Sequence, residues 1–101
     1  MQRAIHIDKE QLADFCRRNH IAKLSFFGSV LRDDFTADSD IDVLIDFEPG
    51  QTPGLLRMAR LERELSPLLH DRKVDIRTAL DLSRYFRQQV LATAQVQYAQ
   101  G

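Results

Sequence analysis

Three aspartates and one Gly-Ser pair are the residues of this chain whose types and spacing could do chemistry. Asp40-Ile41-Asp42 heads an apolar segment, Val43-Leu44-Ile45, and Gly28-Ser29 ends an earlier apolar run, Ile21 to Phe27 (IAKLSFF). Ten residues separate the two motifs. In a strand, side chains alternate. Ile41, Val43, Ile45 and Phe47 therefore fall on one side, and Asp40, Asp42, Leu44 and Asp46 on the other. Two residues of strand rise roughly 6.6 Å, so Asp40 and Asp42 become neighbours on one face. Carboxylates held that close repel each other, and a divalent cation between them relieves the repulsion. The spacing predicts a metal site, and the Gly-Ser turn predicts what the metal holds. Glycine lets the backbone approach a phosphate closely. A short helical turn over Val30-Leu31-Arg32 would turn N–H groups and a positive dipole end toward it. Together the motifs point to nucleotide phosphates bound through Mg2+. Either motif alone is commonplace, since Gly-Ser occurs in ordinary turns and Asp-x-Asp on solvated strand faces. The conjunction carries the reading.

A third carboxylate stands in Lys73-Val74-Asp75-Ile76-Arg77, where Val74 and Ile76 alternate with charged residues. An acidic residue midway along a strand is disfavoured by β-propensity and asks for a reason. One explanation is a solvent-facing position paired with Lys73 or Arg77. The other places Asp75 beside Asp40 and Asp42, where a base could take the proton of an attacking hydroxyl.

The order Gly28-Ser29, ten residues, Asp40-Ile41-Asp42 resembles the signature of the DNA polymerase β-type nucleotidyltransferase superfamily. It is most similar to the minimal members, the MNT-domain antitoxins paired with HEPN toxins. That resemblance implies an α+β fold, a small mixed β-sheet covered by helices, with the family's third aspartate at Asp75. It implies Asp40, Asp42 and Asp75 as catalytic residues and metal ligands, holding two Mg2+ ions, with ATP as substrate. Gly28, Ser29 and Arg32 would meet the phosphates. It further implies transfer of AMP to a tyrosine hydroxyl of a HEPN RNase toxin, with which the chain would form a hetero-oligomer. One departure is visible: the family often continues Gly-Ser with x-Ala-Arg-Gly, whereas here Val30-Leu31-Arg32-Asp33 keeps the arginine and lacks the glycine. Arg32 could equally pair with Asp33 or Asp34. Two other functions compete: an antitoxin that acts by binding alone, and a small-molecule, antibiotic-type nucleotidyltransferase. The presence of all three acidic positions argues against the first, and the lack of a substrate-binding extension against the second.

The 101 residues are expected to form a single nucleotidyltransferase domain, residues 1–101, around one modest core. Apolar content of 44% and charged content of 29% fit a globular chain. A net charge of −1 gives no electrostatic footprint for general nucleic-acid binding, so no direct nucleic-acid contact is expected. No apolar run reaches membrane-spanning length and no signal peptide is visible, which predicts a cytoplasmic protein without a membrane partner. Cys16, the single cysteine, reads as a small apolar residue of the first helix. His6, His20 and His70 show no metal-ligand spacing.

The positioning elements follow from local signals. Asp8 caps a helix with Gln11 three residues on, Ile7 staples against Leu12, and Leu12, Phe15 and Cys16 form the apolar face to about Asn19. Strands follow at Ile21 to Phe27 and Ile41 to Phe47, joined by a loop over Asp33 to Ser39. Thr52 is expected to cap a third helix, counting the turn at Val30-Leu31-Arg32, with Pro53 in its first position. Met58, Leu61, Leu65, Leu68 and Leu69 make its buried stripe, and Pro67 ends it near Ser66. After the Asp75 strand, Thr78 to Gly101 reads as helical. Thr78 and Asp81 cap a short turn there, and Ser83 caps a last helix. Phe86, Val90, Ala94 and Gln97 form a stripe on it that suits core or partner contacts.

Overall fold

Polar caps and alternating apolar residues fix most of the elements. The computed structural model describes residues 7–28 and 40–100. Helix α1 spans Lys9–Arg18, and the Asp8 carboxylate accepts hydrogen bonds from the N–H groups of Glu10 and Gln11 at 3.0 and 3.2 Å. Those are two of the donors that a helix start leaves without an intrahelical acceptor. Strands β1 (Ile21–Phe27) and β2 (Ile41–Phe47) pair antiparallel, and β3 (Val74–Arg77) lies parallel to β2. Helix α2 (Leu55–Leu65) makes the crossover between those parallel strands and runs into a 3₁₀ turn, Ser66–Leu69, that contains Pro67. A second 3₁₀ turn, Ala79–Asp81, leads to α3 (Arg84–Thr93) and then to β4 (Gln95–Ala99). The mixed sheet has the order β3-β2-β1-β4. None of the helices among the described residues is long and apolar enough to cross a membrane.

The core lies on one face of this sheet. Ile41, Val43 and Ile45 of β2, Leu24 and Phe26 of β1, and Val74 and Ile76 of β3 are buried against Leu12, Phe15 and Cys16 of α1 and Leu61, Leu65 and Leu69 from α2 and the turn after it. Each such side chain contributes about 1.5–3 kcal/mol relative to exposure. The uneven alternation of β1 has a local cause. The register slips between Ile21 and Lys23, so Ile21 and Leu24 reach the same side although they stand three positions apart.

Two expectations are corrected. Helix α2 begins at Leu55 with Gly54 as its cap, so neither a Thr52 cap nor Pro53 at the first position is found. Starting there keeps Gly54 out of the helix interior, where glycine is unfavourable by about 1 kcal/mol relative to alanine. The tail is not helical to its end. Ala94 turns to an extended conformation, and Gln95–Ala99 adds to the free edge of β1, with Tyr98 opposite Leu24 and Val96 opposite Ser25. A short segment that alternates Val96 with Tyr98 fits a strand as well as a helix, and an edge needing partners for its N–H and C=O groups decides it. The stripe on α3 is accordingly not core: no residue of α3 is buried, and Phe86 is 61% exposed.

Candidate active site

The sheet face opposite the core carries the carboxylates. Asp42 pairs across the parallel ladder with Asp75, and across the antiparallel ladder with Phe27. Residues paired in register share a face, so Asp42, Asp75 and Phe27 stand abreast on three strands. Asp40 precedes β2 by one residue, and the backbone N–H of Ile41 donates to the Lys73 carbonyl at 2.9 Å, which continues the β2–β3 ladder up to that point. The strands hold Asp75 where the second sequence explanation put it, but the first explanation also holds. The Arg77 guanidinium donates to the Asp75 carboxylate at 3.1 Å, and Lys73 Nζ lies 3.9 Å from Asp40 Oδ2. Arg77, two residues after Asp75, shares its face and was legible only as that ion pair. Among the described residues no three acidic, histidine or cysteine side chains are gathered closely enough to hold a metal ion. The backbone thus brings Asp42 and Asp75 together, while Asp75's carboxylate is turned to Arg77.

Gly28 has a function in this arrangement that the sequence did not disclose. Its φ is +74°, and a Cβ built on it would collide with Asp42 Oδ2 and lie 3.3 Å from Asp42 Cγ. The end of β1 is therefore pressed against the Asp42 carboxylate: a side chain at this position would be strained by the backbone conformation and would displace that carboxylate. Ser29 and Arg32, with the helical turn expected over Val30-Leu31-Arg32 and the loop from Asp33 to Ser39, lie outside the described residues.

Carboxylate oxygens on adjacent strands, with a glycine closing on one of them, are hard donors of the kind Mg2+ takes. A family model described as "Nucleotidyltransferase domain" matches residues 9–96, a span that contains every one of these elements. The chain belongs to the nucleotidyltransferase domain family. A solved structure of a candidate minimal nucleotidyltransferase is 41% identical, with a TM-score of 0.67 over 85% of each chain. The protein adenylyltransferase MntA of Thermococcus cleftensis is 41% identical over 49 residues, 48% of this chain and 48% of that relative, so the matched stretch is about half of the relative's length. A crystal structure of a toxin–antitoxin with AMP-PNP shares the fold. It has a TM-score of 0.72 at 21% identity, covering 92% of this chain and 74% of that one.

Two clefts open beside these carboxylates. One, of about 450 Å3, runs along the outer edge of β3 and is lined by Glu62, Asp75 and Asp81 together with Pro53, Leu55 and Met58. Glu62 of α2 accepts the N–H of Ile76 at 2.8 Å and so satisfies part of that strand edge. The other, of about 700 Å3, lies between the end of β1 and α3.

Proposed function

We propose that this nucleotidyltransferase moves AMP from ATP to a tyrosine hydroxyl of a HEPN toxin and thereby neutralises it. The observation that carries the proposal is the register that sets Asp42 beside Asp75 with Gly28 against Asp42. The protein adenylyltransferase MntA, its relative, supports the transferred group, and the fold shared with a toxin–antitoxin crystallised with AMP-PNP supports the partner. In the reaction the acceptor oxygen attacks the α-phosphorus. The new O–P bond forms as the bond to the bridging oxygen of the β-phosphate breaks, and pyrophosphate leaves. Asp75, on the edge-proximal strand, takes the acceptor's proton. Its carboxylate is paired with Arg77, on the strand position that lies in register with Asp42. Asp40, Asp42 and Asp75 are the residues that would hold Mg2+. When bound, the metal supplies charge neutralisation for the triphosphate and polarises the reacting oxygens. Gly28 and the backbone after it, with Ser29 and Arg32, serve the phosphates.

Incubation with the product of the neighbouring gene, ATP and Mg2+ is expected to add one or more AMP masses to that protein. The Asp40→Asn, Asp42→Asn double variant is expected to bind the same partner without modifying it. No mass increase on any partner refutes the proposal. The Arg77–Asp75 ion pair favours one competing reading, an antitoxin that acts by binding alone. Rescue from toxicity by the double variant would establish that reading instead.

A further inference from the structure

We infer that Arg77 competes with the divalent cation for Asp75 and, once displaced, pairs with the phosphates of the nucleotide. The inference rests on the nucleotidyl-transfer reading and gives a part in it to a residue that no motif announces.

The competition follows from what β3 carries. Asp75 lies in register with Asp42, and Arg77, two positions on, projects from the same face. A terminal guanidinium nitrogen of Arg77 donates to Asp75 Oδ2 at 3.1 Å. Two positions before Asp75, Lys73 Nζ lies 3.9 Å from Asp40 Oδ2. The strand that supplies the third carboxylate thus also supplies two cations to the cluster. A divalent ion on Asp75 would share that carboxylate with the guanidinium, and like charges held on one carboxylate repel. One of them has to give way.

Arg77 is the one that can leave. Its side chain is 48% exposed and that of Asp75 36%, and a pair so open to water does little to hold either group. Among the described residues this is the one hydrogen bond that the guanidinium makes, so most of its N–H donors remain available.

The destination lies beside it. Arg77 lines the cleft between the end of β1 and α3 together with Gly28, and Gly28 closes on Asp42. Phosphates held at Gly28 would share that opening with the guanidinium, so the exchange asks for side-chain rotation alone. The planar fork of an arginine fits two phosphate oxygens at once, which an ammonium group does not do. Lys73 carries the same charge but lines neither cleft, and its side chain is 79% exposed. Cation and phosphate thereby favour each other: the first frees Arg77 and the second gives it a partner. Such a coupling acts equally in both directions.

The test is calorimetric titration of the whole protein in about 0.15 M salt, where charges beyond roughly 8 Å are screened. The probes are Mg2+ alone, inorganic tripolyphosphate with excess Mg2+, and tripolyphosphate with a chelator. Arg77→Met is expected to tighten Mg2+ about twofold to fivefold, the worth of an exposed ion pair, and to weaken tripolyphosphate with Mg2+ about tenfold. Arg77→Lys keeps the charge without the fork and recovers only part of that loss. Lys73→Met removes the same charge from the same strand and leaves tripolyphosphate affinity unchanged. With the chelator, Asp75→Asn releases the guanidinium and binds tripolyphosphate more tightly than the wild type does. That gain disappears when Arg77→Met is added. Unchanged or weaker Mg2+ binding by Arg77→Met overturns the competition, and so does the absence of any gain in Asp75→Asn. Equal losses of tripolyphosphate affinity in Lys73→Met and Arg77→Met show net charge at work and overturn the phosphate pairing. If the wild type binds neither Mg2+ nor tripolyphosphate with Mg2+, the nucleotidyl-transfer reading fails and this inference falls with it.

Discussion

Two glycines with nearly the same backbone conformation allow the close approach at the carboxylate site to be measured. Gly28 has φ +74° and Gly50 has φ +78°. An alanine at either position must adopt a left-handed conformation, which costs an L-residue roughly 1–2 kcal/mol. At Gly50 nothing lies within 4 Å of the new Cβ, so strain is the whole effect. At Gly28 the new methyl also meets Asp42, with its Oδ2 in collision and its Cγ at 3.3 Å. Those atoms are the far end of a short side chain. A rotation relieves the contact for about 0.5–1.5 kcal/mol. Gly28→Ala is therefore expected to lose more stability than Gly50→Ala by the cost of that rotation, each kcal/mol lowering Tm by about 4–8 °C in a domain of this size. Their activities should diverge. Gly50→Ala retains adenylyl transfer, whereas Gly28→Ala pushes the Asp42 carboxylate off its position, and misplacement by about 1 Å can lower a rate roughly 100-fold. Thermal unfolding by circular dichroism and the partner-modification assay measure the two effects separately. Full transfer activity in Gly28→Ala would refute the idea that this glycine sets the position of Asp42.

Other expectations follow from single groups. Burial raises the Cys16 thiol from 9.0 to about 12, against a smaller opposing pull from Arg17, so the native protein should resist alkylation that proceeds once it is denatured. The folded state keeps its proton where the unfolded thiol would release it. Stability should then fall as pH rises from about 9 toward 12, by up to about 1.4 kcal/mol per unit, and Cys16→Ala should lack that slope in pH-dependent denaturant titrations. Removing the Glu62 carboxylate from the Ile76 N–H uncovers the edge of β3. Glu62→Ala should cost about 1–2 kcal/mol and release the Ile76 amide to rapid hydrogen exchange, whereas Glu62→Gln keeps most of its protection. Continued protection of that amide in the alanine variant would place its partner elsewhere.

The sequence alone determined what depends on neighbours a few residues apart. Asp8, Ser83 and the Thr78–Asp81 pair cap the elements they announce, because a side chain two or three residues away is the nearest acceptor for an orphan N–H. The alternation of Ile41, Val43 and Ile45 gave β2 its buried face, and so gave Asp40 and Asp42 the opposite one. Tertiary structure decided the rest. Whether Asp75 stood beside Asp42 depended on the register between strands about thirty residues apart, which no local pattern encodes. Gly28 was legible as a flexible turn, but its contact with Asp42 exists only once β1 and β2 pair. The strand at Gln95–Ala99 was misread because its short alternation is locally ambiguous, and the open edge of β1 selected among its conformations. Spacing along the chain fixes which atoms are available. Pairing across the sheet fixes which of them meet, because hydrogen bonds between distant strands, with a core on one face, are satisfied together or not at all.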